Sequence, residues 1–150
     1  MDEKKFLKNY KLVIDGFLPG WCLTLNNSKR NAGLCFYPFR GRPGKISISR
    51  FYLQNPETTE EKLKFLILHE IAHAFAGKKA HHGEKWKKIV TELGGKPTPR
   101  LDKPFAADQA KFVAQCKSCG FFYYFFKKVK HSKRRCRFCK TQCVVEKIQN

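Results

Sequence analysis

Apolar side chains recur at helical spacing in three parts of the chain. They predict helices over residues 2–15, 58–76 and 83–93. Gly16 is a stop signal for the first helix, and Gly94-Gly95 is one for the third. Thr58 and Glu61 have the spacing of a capping box, which predicts that the second helix begins there. We therefore expect three amphipathic helices that pack around one core.

Three short segments between the first two helices have the alternation or the apolar content of strands. They are residues 21–25, 33–37 and 45–49. Asn26-Asn27-Ser28 supplies turn chemistry between the first two, and residues 41–44 supply it before the third. The first hundred residues thus combine a few short predicted strands with longer predicted helices.

The composition of the chain changes after the third helix. Residues 96–111 include three prolines and predict a linker. From about Phe112 onward the chain is rich in cysteine pairs, aromatic residues and positive charge. We therefore expect two domains, residues 1–105 and residues 106–150.

The second predicted helix contains the motif His69-Glu70-Ile71-Ala72-His73. Histidines four residues apart lie on one face of a helix, where both imidazoles reach one metal ion. Glu70 follows the first histidine, and its carboxylate can act there as the general base of a peptidase. This H-E-x-x-H pattern is typical of zinc metallopeptidases and predicts one catalytic Zn²⁺ held by His69 and His73.

A catalytic zinc site usually has a third protein ligand. Metzincin spacing is excluded, because Ala76 and Lys79 stand where that class has glycine and histidine. Glu92 has the sequence separation of a gluzincin ligand, but it lies about 120° from the apolar stripe of the third helix and should point to solvent. His82, beside a glycine at the start of that helix, is the preferred third ligand, and His81 is its rival.

Four cysteines near the C-terminus have the spacing of a structural zinc site. Cys116, Cys119, Cys136 and Cys139 form the pattern C-x₂-C-x₁₆-C-x₂-C, which predicts a zinc ribbon with a second, structural Zn²⁺. A module of roughly 40 residues is too small to fold by apolar burial alone, so metal must contribute to its folding. Cys143 is the alternative to Cys139 as the fourth ligand.

Together these motifs resemble the SprT-like (Spartan) family of zinc metalloproteases. The matching segments are HEIAHAFAG, HHGEKWKKIVTELGG and the strand region between Gly20 and Ser49, and the resemblance covers about residues 10–145. It implies an α+β fold, with a zincin-like metalloprotease core in which a small antiparallel sheet packs on helices, followed by a C-terminal zinc ribbon. It also implies DNA-dependent proteolysis of proteins that are bound or crosslinked to DNA. Zincins bind substrate along an edge strand, for which residues 45–50 are the candidate.

The formal net charge of +19 indicates a polyanionic partner. Residues 106–150 carry eleven Lys and Arg against two acidic residues. Cations that follow phosphates, beside aromatic rings on which bases stack, suit single-stranded nucleic acid. The resemblance to the SprT-like family implies that this nucleic acid is DNA. The alternative for the aromatic run at 121–126 is packing within the ribbon. The candidate nucleic-acid-binding residues are Tyr123, Lys127, Lys128, Lys130, Lys133, Arg134, Arg135 and Arg137.

The cysteine content and the N-terminal segment bear on the compartment. Seven cysteines without a secretory signal favour metal-held thiolates in a reducing environment, so we expect an intracellular protein. No apolar run approaches the roughly 20 residues that a bilayer requires. We expect a monomer without membrane contact.

Two other functions fit the same motifs. The first is a non-enzymatic, nucleic-acid-binding zinc protein in which the H-E-x-x-H helix holds a structural metal. The second is a general peptidase whose basic surface merely attracts acidic proteins. The function we expect is a zinc-dependent endopeptidase that is stimulated by DNA and acts on DNA-bound or DNA-crosslinked proteins.

Overall fold

The computed structural model describes residues 2–98 and 105–148. The chain divides into two units, Met1–Phe105 and Ala106–Asn150. Residues 99–104, a large part of the predicted linker, lie outside the described residues. Among the described helices, none has the length and the apolar content that crossing a bilayer requires.

The first unit contains helices and one small sheet. Its elements in chain order are α1 (Glu3–Phe17), β1 (Cys22–Asn26), β2 (Gly33–Phe36), β3 (Lys45–Ser49), α2 (Arg50–Gln54), α3 (Glu60–Ala76) and α4 (Glu84–Glu92). The three predicted helices and three predicted strands are all present, and the α+β fold class is confirmed. The short helix α2 is an addition that the apolar pattern did not predict.

The ends of the helices differ slightly from the prediction. Helix α1 continues through Gly16 to Phe17, and the N–H of Leu18 donates to Ile14 O to close it. Helix α3 takes Thr59 as its N-cap, and Thr59 Oγ1 accepts from the N–H of Lys62 at 3.2 Å. The predicted cap was one residue too early, because the N–H of Thr58 is used in a turn with Asn55 O at 2.9 Å.

The sheet of the first unit has the order β1-β3-β2. Strand β3 pairs antiparallel with β2 and parallel with β1, so the sheet is mixed and not purely antiparallel. Residues 26–28 do not form a turn that pairs β1 with β2. Instead, the Asn26 side chain donates to Ser47 Oγ and the Ser49 hydroxyl donates to Ser28 O, so this segment contacts β3. Because β3 is paired on both sides, the prediction that residues 45–50 form a substrate-binding edge strand was wrong.

The core of the first unit lies between the sheet and helices α1 and α3. Phe6 and Ile14 of α1, Ile46 of β3, and Leu63 and Ile71 of α3 are fully buried in it. Burying each such side chain contributes about 1.5–3 kcal/mol. A second apolar cluster, formed by Ala72, Ala76, Trp86 and Val90, joins α3 to α4. Together these contacts fix the face of α3 on which the motif histidines lie.

The second unit is built from short strands around a cysteine-rich centre. Its strands are β4 (Phe112–Gln115), β5 (Phe122–Phe125), β6 (Lys133–Arg135), β7 (Gln142–Val144) and β8 (Glu146–Lys147). They form a three-stranded sheet of order β5-β4-β8 and a β6-β7 hairpin. The buried residues of its apolar cluster are Ala114, Cys116, Tyr123, Cys136 and Cys143, which is too small a core to hold a fold without a crosslink.

Candidate functional site

Three imidazoles from two parts of the chain converge on one point in the first unit. His69 and His73 lie one turn apart on α3, and His82 lies in the turn before α4. Their Nε2 atoms are separated by 3.2 Å (His69–His73), 3.0 Å (His73–His82) and 3.1 Å (His69–His82). The structure thus brings together the two motif histidines and the preferred third residue.

The chain returns to the two motif histidines through a tight reversal. Gly77 ends α3 with a φ of 86°, a left-handed value that glycine adopts freely. The N–H of Gly83 then donates to Ala80 O at 2.9 Å, which closes the turn that carries His82. His81 is exposed and lies outside the triangle. Glu92 is exposed as well and lies 4.0 Å from Lys88, so it does not join the cluster.

The electrostatics of the triangle fit a cation. Burial lowers the pKa of His69 to about 3 and that of His73 to about 4, so both rings are neutral near pH 7 and present lone pairs. Three Nε2 atoms in mutual contact cannot all be satisfied by hydrogen bonds among themselves. Nitrogens bound to one tetrahedral ion at about 2.0–2.1 Å stand about 3.3 Å apart, close to the observed separations. The donor set therefore suits Zn²⁺.

Glu70 follows His69 on α3 and is almost completely buried, with 4% of its surface exposed. Burial raises the pKa of its carboxyl group to about 8. Gly33 on β2 packs directly against it, since a Cβ at Gly33 would stand 2.5 Å from Glu70 Oε1. The carboxyl group is thus held in a pocket where it can exchange a proton near neutral pH.

Two aromatic residues support the site in ways that the sequence did not reveal. Trp86 is fully buried, its ring lies 4.6–5.5 Å from the three imidazole rings, and its N–H donates to His69 O at 3.4 Å. Tyr37, just after β2, donates its hydroxyl to His73 O at 3.0 Å. The sequence identified Trp86 only as an anchor of its helix, and no motif pointed to Tyr37.

The second unit holds the other candidate metal site. The sulfurs of Cys116, Cys119, Cys136 and Cys139 all lie within 4.8 Å of one another. Hydrogen bonds from Thr141 lower the pKa of Cys139 to about 5, which favours the thiolate that a metal binds. Four soft thiolates in this arrangement suit a structural Zn²⁺.

Two similar turns present these cysteines. The N–H of Cys116 donates to Phe121 O, and the N–H of Cys136 donates to Thr141 O, at 2.9 and 2.8 Å. Each cysteine pair is followed by a residue with positive φ, Gly120 at 72° and Lys140 at 63°. Cys143, the alternative fourth ligand, lies on β7 outside the group of four.

Tyr123 does not have the position expected of a base-stacking residue. It is 8% exposed, and its hydroxyl donates to Cys136 Sγ at 3.2 Å while accepting from the N–H of Arg137 at 2.9 Å. Arg134 covers its ring, with Cζ 3.8 Å from the ring centroid. The side chain therefore belongs to the shell around the cysteine site. Tyr123 has this position because alternation places it on the inner face of β5, which agrees with the alternative of packing within the ribbon.

The remaining candidate nucleic-acid-binding residues lie mostly at the surface of the ribbon. Arg134 is half-buried, whereas six others are exposed: Lys127, Lys128, Lys130, Lys133, Arg135 and Arg137. Phe122 and Tyr124 project from the other face of β5 and stack on each other with centroids 6.1 Å apart. They are better placed than Tyr123 to meet a base.

Comparisons with known proteins place the first unit in a family. The profile of the SprT-like family matches residues 3–104. The chain is also 30% identical over 87 residues to "Protein SprT-like" of Oceanobacillus iheyensis, an alignment that covers 56% of this chain and 58% of that protein. The chain thus spans less than two thirds of the length of this curated relative.

Proposed function

Because the chain belongs to the SprT-like family, we propose that it is a zinc-dependent endopeptidase. One observation carries this proposal. Three imidazole nitrogens stand within 3.2 Å of one another, and the buried carboxyl group of Glu70 follows the first of these histidines in the chain. His69, His73 and His82 are the ligands in this scheme, and Glu70 is the catalytic residue.

Each side chain of the site has a definite task. His69, His73 and His82 would hold the ion, which would supply Lewis acidity for activating water and for polarising the scissile carbonyl group. Glu70 takes up a proton at its carboxylate and later releases it to the leaving amine. Burial raises its pKa to about 8, so the carboxyl group can both take up and release a proton at a pH near neutrality. Trp86 packs against the three imidazoles, where it excludes water from their buried side and keeps their rings in place.

Strand β2, and not residues 45–50, is the edge strand along which a peptide substrate is proposed to bind. It forms one edge of the described sheet, and Gly33 at its start touches Glu70. An extended peptide paired with this edge would pass beside the carboxyl group of Glu70. The absence of a side chain at Gly33 leaves room for the carboxyl group of Glu70 itself, close to the edge where such a peptide would pair.

The ribbon is proposed to bring the enzyme to DNA. Its exposed cations can follow phosphates, and the outward rings of Phe122 and Tyr124 can stack on unpaired bases. This supports a peptidase that is stimulated by DNA, with a preference for single-stranded character, and that acts on DNA-bound or DNA-crosslinked proteins. None of the seven cysteines forms a disulfide, which fits the reducing, intracellular compartment proposed for the protein.

The second candidate is a nucleic-acid-binding zinc protein without hydrolytic activity. The observation that favours it is the ribbon itself, a separate unit with its own candidate metal site and most of its cations exposed. Both functions predict about two Zn²⁺ ions per chain. Metal content alone does not distinguish them.

A cleavage assay on a DNA-binding substrate protein, with and without single-stranded DNA, tests the proposal. We expect fragments that increase when DNA is present and disappear when a chelator removes zinc. Cleavage at the same rate with and without DNA would indicate the general peptidase instead. Tight DNA binding without any cleavage would establish the non-enzymatic alternative.

A further inference from the structure

We propose that the first unit has its own contact surface for single-stranded nucleic acid, at the tip of the β2–β3 hairpin. This hairpin tip comprises residues 36–45, FYPFRGRPGK. It combines aromatic rings with cations over a stretch of ten residues. The inference rests on the proposed function for the choice of DNA as the ligand, but it concerns a surface outside the ribbon.

Two aromatic side chains of the hairpin tip are exposed beside cations. Phe39 is 66% exposed and Phe36 is 45% exposed. Arg40 Cζ lies 5.1 Å from the centroid of the Phe39 ring, and Lys45 Nζ lies 4.5 Å from that of the Phe36 ring. An exposed ring next to a cation offers both a stacking face for a base and a charge for its phosphate.

Backbone hydrogen bonds and a two-residue turn define the conformation of this hairpin tip. Phe39 and Arg42 exchange two backbone hydrogen bonds of 3.2 and 3.0 Å. The two residues between them, Arg40 and Gly41, have φ values of 48° and 75°, as in a type I′ turn. A tip whose conformation is defined in this way loses little conformational entropy when it binds.

The residue type at Arg40 is itself informative. A side chain other than glycine or asparagine is disfavoured at positive φ, at a cost of about 1–2 kcal/mol. Backbone strain of this kind concentrates at functional sites. A phosphate contact by Arg40 would account for an arginine where glycine fits the backbone better.

The charge around the hairpin tip favours an anionic partner. Residues 16–56 contain six Lys and Arg and no Asp or Glu. Within the described part of the chain, Arg40, Arg42 and Lys45 take part in no ion pair. A surface that binds only peptide side chains would not require such an excess of Lys and Arg over Asp and Glu. Phosphates supply the missing counter-charge, and exposed rings supply the affinity for bases.

The hairpin tip is also attached to the candidate catalytic site. Tyr37 lies within it, and its hydroxyl donates to the carbonyl oxygen of His73, one of the three imidazole residues. Nucleic acid bound here would therefore lie on the same unit as Glu70. A strand held at this position would keep a DNA-bound substrate protein near the peptidase site.

Fluorescence anisotropy of the zinc-loaded full chain with labelled oligothymidylate tests the inference directly. Phe39→Ala should weaken binding about tenfold, because one stacked base contributes roughly that factor. Arg40→Gly should lower the salt dependence of log K by about 0.7 for the lost phosphate contact. The same variant should leave the melting temperature unchanged or higher, since glycine adopts positive φ without strain. Phe17→Ala and Lys8→Ala, which alter an exposed ring and an exposed cation on α1, are the matched controls.

The outcomes separate this inference from the proposed function. If only the two hairpin variants bind the oligonucleotide more weakly than the wild type, the proposed contact surface is supported. Wild-type affinity in both variants overturns it, while DNA binding by the ribbon and the proposed function stand. Normal DNA binding with impaired cleavage of a DNA-free peptide would also overturn it, because the tip would then contact substrate. A wild-type protein that binds no oligonucleotide at low salt would contradict the DNA part of both proposals.

Discussion

At the scale of single residues, the site depends on backbone positions as much as on side-chain types. His81 and His82 are neighbours of identical chemistry, yet only His82 meets the motif histidines. The difference arises from the turn closed by Gly83 N–H and Ala80 O, which directs one imidazole inward and leaves the other exposed. The sequence could rank the two histidines as candidate ligands. The direction in which each side chain points could be known only from the fold.

Replacing these two histidines one at a time tests the ligand set. His82→Ala should remove one equivalent of zinc from the chain, because only two imidazoles remain for that ion. His81→Ala should retain both equivalents. Zinc content of the purified variants, measured by atomic spectroscopy, decides. Equal zinc loss in the two variants would show that the ligand assignment is wrong.

Gly33 tests the contact between β2 and the buried carboxyl group. Gly33→Ala places a methyl group 2.5 Å from Glu70 Oε1, which is closer than van der Waals contact allows. Crowding of this kind typically costs about 1–3 kcal/mol. We expect peptidase activity to fall about tenfold or more while the zinc content stays at the wild-type value.

Gly16→Ala is the control for that variant. A Cβ at Gly16 meets nothing within 4 Å, and the position lies inside α1. Alanine should therefore stabilise the helix by about 0.5–1 kcal/mol and leave activity unchanged. Thermal unfolding and a cleavage assay on both variants provide the readout. Full activity of the Gly33→Ala variant would show that the contact between β2 and Glu70 is not needed for peptide cleavage.

At the scale of elements, periodicity predicted what is local and missed what depends on pairing. Helices α1, α3 and α4 were predicted because each has an apolar stripe several turns long. The five-residue helix α2 is too short for such a stripe, and its cap, Ser49, looked like the end of a strand. The central position of β3 was also missed, because its alternation is the same at an edge or in the middle of a sheet.

The ribbon gives an element-scale prediction about metal and folding. Cys119→Ser should remove the second zinc and unfold residues 106–150, because this unit buries little apolar surface without the metal. The helices of the first unit should persist. Cys22→Ser, an exposed cysteine on β1, is the control. Limited proteolysis with far-ultraviolet circular dichroism distinguishes the two regions. A protease-resistant ribbon in the Cys119 variant would contradict a folding role for the metal.

At the scale of the whole molecule, charge is the dominant property. The net charge of +19 is spread over both units, with a surplus in residues 106–150 of eleven cations over two acids. Counterion release from a nucleic acid would make binding steeply dependent on salt. The location of the cations, and not only their number, should therefore decide affinity.

Two triple variants of equal charge test that location. Replacing Lys127, Lys128 and Lys130 with alanine should lower the salt dependence of log K for single-stranded DNA by about 2. It should also reduce DNA-stimulated cleavage and leave DNA-free peptide cleavage unchanged. The matched variant replaces Lys4, Lys5 and Lys8, which are exposed on α1. Equal losses in both variants would mean that net charge, without a defined surface, explains the binding.

The most direct test of the account is Glu70→Gln, with zinc content and cleavage measured on the same preparation. Glutamine keeps the shape of the side chain and cannot take up the proton, so cleavage should fall by about 10²–10⁴-fold while both zinc ions stay bound. Glu84→Gln, an exposed substitution on α4, should retain wild-type activity. Undiminished cleavage by the zinc-loaded Glu70→Gln protein would contradict the assignment of this site as a peptidase.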